Sequence, residues 1–137
     1  MRWKTTLVTL TLPCSFSNTA EYKEAFTWGD CGYLAVALSN ATGFDVATVS
    51  ADFPEAWVHA GVWLDREHIV DIKGIYHYQD WLSMWEWAAD NGYGYETIAA
   101  VHWKAIDFLP SVMEVPRAFP DVDLDEAVKV VLANINS

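Results

Sequence analysis

The sequence predicts an α+β fold in a single domain spanning 1–137. Three observations carry this. From Cys31 onward, Leu34, Ala35, Leu38 and Ala41 recur at helical spacing. Two alternating segments, Trp57 to Leu64 and His68 to Lys73, are separated by Asp65-Arg66-Glu67 and read as an antiparallel hairpin. The chain has 137 residues, 53% apolar and 20% charged, which suits one packed core and no second one. Strands and helices are mixed without a regular strand–helix alternation, so a doubly wound parallel sheet is not expected.

The elements follow in order. Thr5 to Leu12 is rich in Thr, Leu and Val and predicts a strand. Its threonines and Pro13 make it too polar and too broken for the apolar core of an export signal, so a cytoplasmic protein is expected. Ala20 to Phe26 predicts a short helix capped by Thr19. The helix from Cys31 has Asp30 where an N-cap belongs and Gly43 where a C-terminal stop belongs. Phe44 to Val49 predicts a strand, then comes the hairpin, then a linker from Gly74 to Tyr78. A helix is expected from Asp80 to Asp90, a strand from Glu96 to Phe108, and an irregular stretch at Pro110, Pro116 and Pro120. A last helix opens at Asp121 and Asp123, with Leu124, Val128, Val131, Leu132 and Ile135 on one side.

Charge narrows the function. Nineteen Asp and Glu against eight Lys and Arg give −11 at neutral pH. Nucleic acid and anionic membrane surfaces would both repel such a chain, so neither is an expected partner. No apolar run is long enough to span a bilayer. Eight tryptophans, large and rigid contact residues, hint at a groove or interface beyond the core.

One constellation points to chemistry. Cys31 opens a helix, where unpaired N–H groups and the dipole stabilise a thiolate and could hold an oxyanion. Asp30 opposes this as a neighbouring carboxylate, so an imidazolium is needed beside the thiol. His59, on the first hairpin strand, is the candidate. Asp71 follows on the return strand. Alternation places both on one face if the loop has an odd number of residues. A three-residue loop at Asp65-Arg66-Glu67 sets Gly61 opposite Asp71 and His59 diagonal to it, while a loop at Leu64-Asp65-Arg66 sets His59 directly opposite. In either case Asp71 can orient the ring and fix its tautomer. Gly61 is expected to leave open space beside His59. Trp57 and Trp63 are candidate substrate walls.

These residues carry a resemblance. Gly29-Asp30-Cys31-Gly32-Tyr33-Leu34, then Val58-His59-Ala60-Gly61-Val62-Trp63, then Val70-Asp71-Ile72 resemble the papain-like thiol superfamily in its transglutaminase-like branch. Arylamine N-acetyltransferases share the order Cys, His, Asp, and bacterial cell-wall endopeptidases share the Asp-Cys and His-x-Gly-Val pieces. Small phage and bacterial proteins with Gly-Asp-Cys, His and Asp-x-x-Gly look most similar, and Asp71-Ile72-Lys73-Gly74 fits that ending. The resemblance spans Trp28 to Gly74. It implies a minimal papain-like core, with the Cys31 helix packed on an antiparallel sheet. It also implies a cysteine-dependent hydrolase or acyltransferase of protease, isopeptidase, deamidase or transglutaminase type. Its triad would be Cys31, His59 and Asp71, its substrate a protein or peptide, and its location a host cytoplasm if phage-encoded. The chain departs from this pattern at the oxyanion hole, because its one Gln, Gln79, follows the triad. Asn18 or the Trp28 indole would have to substitute.

Other readings stand beside this one. His68, Asp71 and His77 do not have metal-ligand spacing, so no metal or other cofactor is expected. Cys14 reads as a structural thiol. Trp81 and Trp85, four apart, share a helix face and read as core. The alternative function is a non-enzymatic acidic binder on the same scaffold, a phage-type inhibitor or charge mimic whose partner is a basic host protein.

Overall fold

A computed structural model describes residues 14–15, 20–50, 57–86 and 98–135. The expected strand from Thr5 to Leu12 and the residues Asn18 and Trp87 lie outside this set, and the side chain of Trp28 is likewise not described. A six-stranded, wholly antiparallel sheet runs in the order β1-β5-β4-β3-β2-β6. Its strands are β1 (Cys14–Ser15), β2 (Val46–Ser50), β3 (Trp57–Trp63), β4 (His68–Val70), β5 (Gly74–His77) and β6 (Ala99–Trp103). The helices are α1 (Ala20–Trp28), α2 (Cys31–Thr42), α3 (Tyr78–Ser83), α4 (Ala105–Met113) and α5 (Leu124–Ile135). The class is α+β.

Helix α2 packs on one face of the sheet. Cys31, Ala35 and Val36 meet Val46 and Ala60 there, together with Phe108 and Val112 of α4. Leu34 and Leu38 join Val62, Val70 and Ile75, and α5 closes this side with Ala127, Val131 and Ile135 at four-residue spacing. The opposite face carries Ala47, Val49, Trp63, Ile69 and Tyr76, covered by Trp81 and Trp85 from α3 and the turn after it. Helix α2 ends as its sequence dictates. Gly43 takes φ 81°, in the left-handed region, and its N–H donates to the Ser39 carbonyl at 2.8 Å.

The hairpin has the three-residue loop. Leu64 N–H donates to the His68 carbonyl at 2.8 Å, Trp63 lies opposite Ile69 and Val62 opposite Val70. Asp65 shapes the turn by accepting from the N–H groups of Glu67 and His68, both at 2.8 Å. Continuing that register puts Gly61 against the backbone at Val70–Asp71. A Cβ at Gly61 would lie 2.6 Å from the Val70 carbonyl oxygen, 3.1 Å from Ile69 and 3.4 Å from Trp81. The expected open space beside His59 is therefore filled. Gly61→Ala is expected to cost about 1–3 kcal/mol in chemical denaturation, because the obstacle is backbone and cannot step aside. Unchanged stability would contradict this spacing of β3 and β4.

Three other expectations are corrected. Gly74–His77 is a strand paired with β4, not a linker. The strand expected from Glu96 to Phe108 ends at Trp103, and α4 begins at Ala105. Pro110, expected in an irregular stretch, lies inside α4. The ring removes the bond to the Ile106 carbonyl. Ile106 is 79% exposed, so that carbonyl is on the side where water can satisfy it. Among the described residues, no helix is long and apolar enough to cross a membrane.

Candidate active site

Asp71 leaves β4 at its C-terminal end, and its carboxylate gathers three donors. Lys73 N–H reaches Oδ1 at 2.8 Å, a local turn bond to the residue two positions on. Oδ2 accepts from His59 Nε2–H at 2.9 Å and from Trp81 Nε1–H at 3.0 Å. All three side chains are essentially sealed from solvent, at 0% for His59, 2% for Asp71 and 0% for Trp81. The Trp85 ring stacks on the imidazole with centroids 4.6 Å apart and planes 21° apart, and Trp81 tilts against it at 5.5 Å. Trp81 and Trp85 thus belong to the core, as their spacing suggested, and clamp the histidine as well.

Cys31 belongs to the α2 layer and still acts on this ring. Burial by itself pulls the His59 pKa down. Charge on Cys31, the hydrogen bond to Asp71, a hydrogen-bonding contribution from Cys31 and the charge on Asp71 outweigh it and raise the value to about 9. For Asp71, burial pushes upward. The bond and charge of His59, the Trp81 N–H and the Lys73 N–H outweigh that and hold the carboxyl below its ordinary value. With Nε2 on Asp71, Nδ1 is the ring atom left for the thiol. Among the described residues, Nδ1 has no hydrogen-bond partner. Among the described residues, pairing of β3 with β4 is confined to Val62 and Trp63.

Asp30 stands at the N-cap position without serving as a side-chain cap. Its φ of −107° and ψ of 17° are not the extended backbone of a capping residue. The carboxylate turns instead to a distant segment, accepting from Arg117 Nε–H at 3.0 Å, Ala118 N–H at 2.7 Å and Phe119 N–H at 3.1 Å. Arg117 also donates to the carbonyls of Phe119 and Val122. This cation neutralises the carboxylate that the sequence sets beside Cys31. The first intrahelical bond of α2 runs from Leu34 N–H to the Asp30 carbonyl, so the N–H groups of Cys31, Gly32 and Tyr33 precede it.

The flanking glycines explain how the C-terminal segment sits so close. A Cβ at Gly29 would be 2.7 Å from Ala118 and 3.0 Å from the Phe119 ring. One at Gly32 would be 3.0 Å from both Trp57 and Val112. The Tyr33 hydroxyl donates to the Val115 carbonyl. A cavity of about 130 Å³ remains beside the first turn of α2, lined by Gly29, Gly32, Tyr33, Trp57, Val112 and Val115 among others. Trp57 is thus at the site, in edge contact with Phe108 at 5.0 Å. Trp63 is not. Outside that cavity's lining, it stacks on His102 at 4.2 Å, and its Nε1–H donates to the Val101 carbonyl at 3.3 Å, in the layer that holds Trp81 and Trp85.

Sequence reading missed Arg117, which lies 87 residues from Asp30, and the hydrogen bond from Trp81 to Asp71. A buried carboxylate must find donors, but nothing in the spacing identifies which. His68 and His77 are otherwise engaged. His68 Nδ1–H donates to Asp65 at 2.9 Å, and His77 Nδ1 accepts from Gln79 N–H at 3.1 Å. Among the described residues, no group of three His, Cys, Asp or Glu is placed to hold a metal ion. No family model matches the chain, and neither a curated protein nor a solved structure matches it.

Proposed function

We propose that this protein is a cysteine-dependent hydrolase or acyltransferase acting on an amide bond, on a minimal papain-like scaffold of the transglutaminase-like kind. One observation carries the reading. A fully buried histidine is tied through Nε2 to a buried aspartate at the end of the neighbouring strand, and the cysteine that precedes both in the chain opens the helix packed on this sheet against Ala60, the histidine's chain neighbour. A buried His–Asp pair beside a helix-start thiol is the arrangement thiol catalysis uses.

The chemistry follows from the groups present. The Cys31 thiolate attacks the carbonyl carbon of a peptide, isopeptide or Gln carboxamide while His59 carries the thiol's proton. The oxyanion forms at the start of α2, where the Cys31 N–H is a donor. Collapse of the tetrahedral intermediate breaks the C–N bond, and His59 gives its proton to the departing amine. Water or an acceptor amine then attacks the thioester, losing its proton to His59 and releasing Cys31. Asp71 holds the ring's orientation and its charge throughout. The cavity between Gly32, Trp57 and Val112 is the approach for the acyl group.

A second reading, a non-enzymatic acidic binder of a basic host protein, is favoured by a different observation. Cys31 is 5% exposed and His59 0%, so the pair is nearly closed to solvent. Labelling separates the two. In the enzyme reading, iodoacetamide and amide- or ester-based thiol probes modify Cys31 in the folded protein, and Cys31→Ala abolishes both labelling at that position and turnover. A Cys31 that stays unmodified until the protein is denatured would remove the enzyme reading and leave the binder.

A further inference from the structure

Helix α4 carries two adjacent apolar rows on one broad side, with Asp107 and Ser111 on the other. Phe108 and Val112, four apart, point into the core against α2 and the sheet. Ile106, Leu109 and Met113, at the i, i+3 and i+7 positions, point out, and Val115 extends the row past the helix end. Their exposures are 79, 39, 65 and 63%. An amphipathic helix ordinarily turns its whole apolar stripe to a neighbour. A contiguous exposed row of this kind marks a contact surface. Beside it lies a cavity of about 250 Å³ between the helices, lined by Val36, Asn40, Ala105, Ile106 and Leu109.

The charge around the row says what covers it. Asp107 and Glu114, seven apart and so in line, border it on one side, both exposed and, among the described residues, without an ion-pair partner. The cations just before and after α4 are already neutralised. Lys104 pairs with Asp45 at 2.9 Å and Arg117 with Asp30 at 3.0 Å. The face is therefore an apolar strip with a negative border along one side, on a chain of charge −11.

We propose that the outer face of α4 docks a basic amphipathic helix of a partner protein. Aliphatic side chains at i, i+3 and i+4 of that helix lie along Ile106, Leu109 and Met113 and fill the cavity beside Val36, while its Lys and Arg residues meet Asp107 and Glu114. A second copy of the chain brings the same acidic border and a further −11, so repulsion opposes it. The inference stands apart from the thiol chemistry.

Calorimetric titration with a model Leu/Lys amphipathic helix tests it, beside a peptide of the same composition scrambled to destroy the apolar face. The Leu/Lys helix is expected to bind, more weakly as salt rises, and the scrambled peptide to bind far less. The double variant Ile106→Asp, Met113→Asp leaves the core side of α4 untouched and adds two negative charges. Apolar docking predicts that it weakens binding by about tenfold or more, whereas attraction by charge alone predicts tighter binding. Equal or tighter binding by the variant, equal binding of the scrambled peptide, or no binding of the Leu/Lys helix would overturn the proposal. So would a concentration-dependent dimer in sedimentation that the double variant abolishes, which would assign the face to a second copy.

Discussion

Asp71→Ala is expected to destabilise the fold by about 3–5 kcal/mol in urea denaturation. The carboxylate accepts from His59, Trp81 and the Lys73 backbone, and its removal strands those donors where water does not reach. Asp71→Asn keeps the volume and one acceptor oxygen, so its loss is smaller, about 1–3 kcal/mol. The pH dependence separates charge from shape. His59 is raised from 6.5 to about 9 in the folded protein, so its contribution to stability is complete below 6.5 and is lost as pH rises through 9. Asp71 is held below its ordinary 3.8, so its contribution is complete above that value and is lost as pH falls through the depressed one. Wild-type stability is therefore expected to be greatest between these limits and to decline on the alkaline side through 9. In Asp71→Asn that alkaline decline shrinks without vanishing, because Cys31 still supports the imidazolium. An equally steep decline in both proteins would show that Asp71 does not hold His59 charged.

Asp30→Ala is the second large effect, expected at about 2–4 kcal/mol. The variant leaves the Arg117 guanidinium and the N–H groups of Ala118 and Phe119 without their buried acceptor. The segment seated on Gly29 then loosens, and the wall it forms around the cavity beside Cys31 opens. Alkylation of Cys31 is expected to accelerate, and hydrogen exchange across 115–119 to speed up with it. Removing a negative charge next to the thiol would also accelerate alkylation, so Asp30→Asn is the control. It discards the charge and keeps an acceptor. Acceleration confined to Asp30→Ala assigns the effect to the unlatched segment, and equal acceleration in both variants assigns it to charge.

How much of this was legible in the sequence depends on the range of the interaction. Helix α2 with its Gly43 stop, the hairpin and α5 follow from short-range periodicity and local backbone chemistry. That His59 and Asp71 share a face follows too from a strand's period and an odd loop length, while the choice between the diagonal and the directly opposite placement rests on the Leu64–His68 pairing. The Lys73–Asp71 turn bond is equally local. What failed was long-range or hidden by composition. Phe108 and Val112 read as strand or irregular residues because α4 is short, its apolar stripe is broad and Pro110 interrupts the pattern. Gly61 reads as open space because one strand cannot show that the Val70 carbonyl fills it. Asp30 reads as a cap because its position along the chain is right, while its acceptor capacity goes to residues 87 to 89 positions away.

The central claim is that Cys31, His59 and Asp71 form one coupled acid–base unit. NMR titration of the His59 ring, in wild type and in Cys31→Ala, measures that coupling directly. The ring is expected to titrate at about 9 in wild type and distinctly lower in the variant, because the charge on Cys31 is the largest of the effects holding it up. The same midpoint in both proteins would contradict the coupling and, with it, the thiol chemistry.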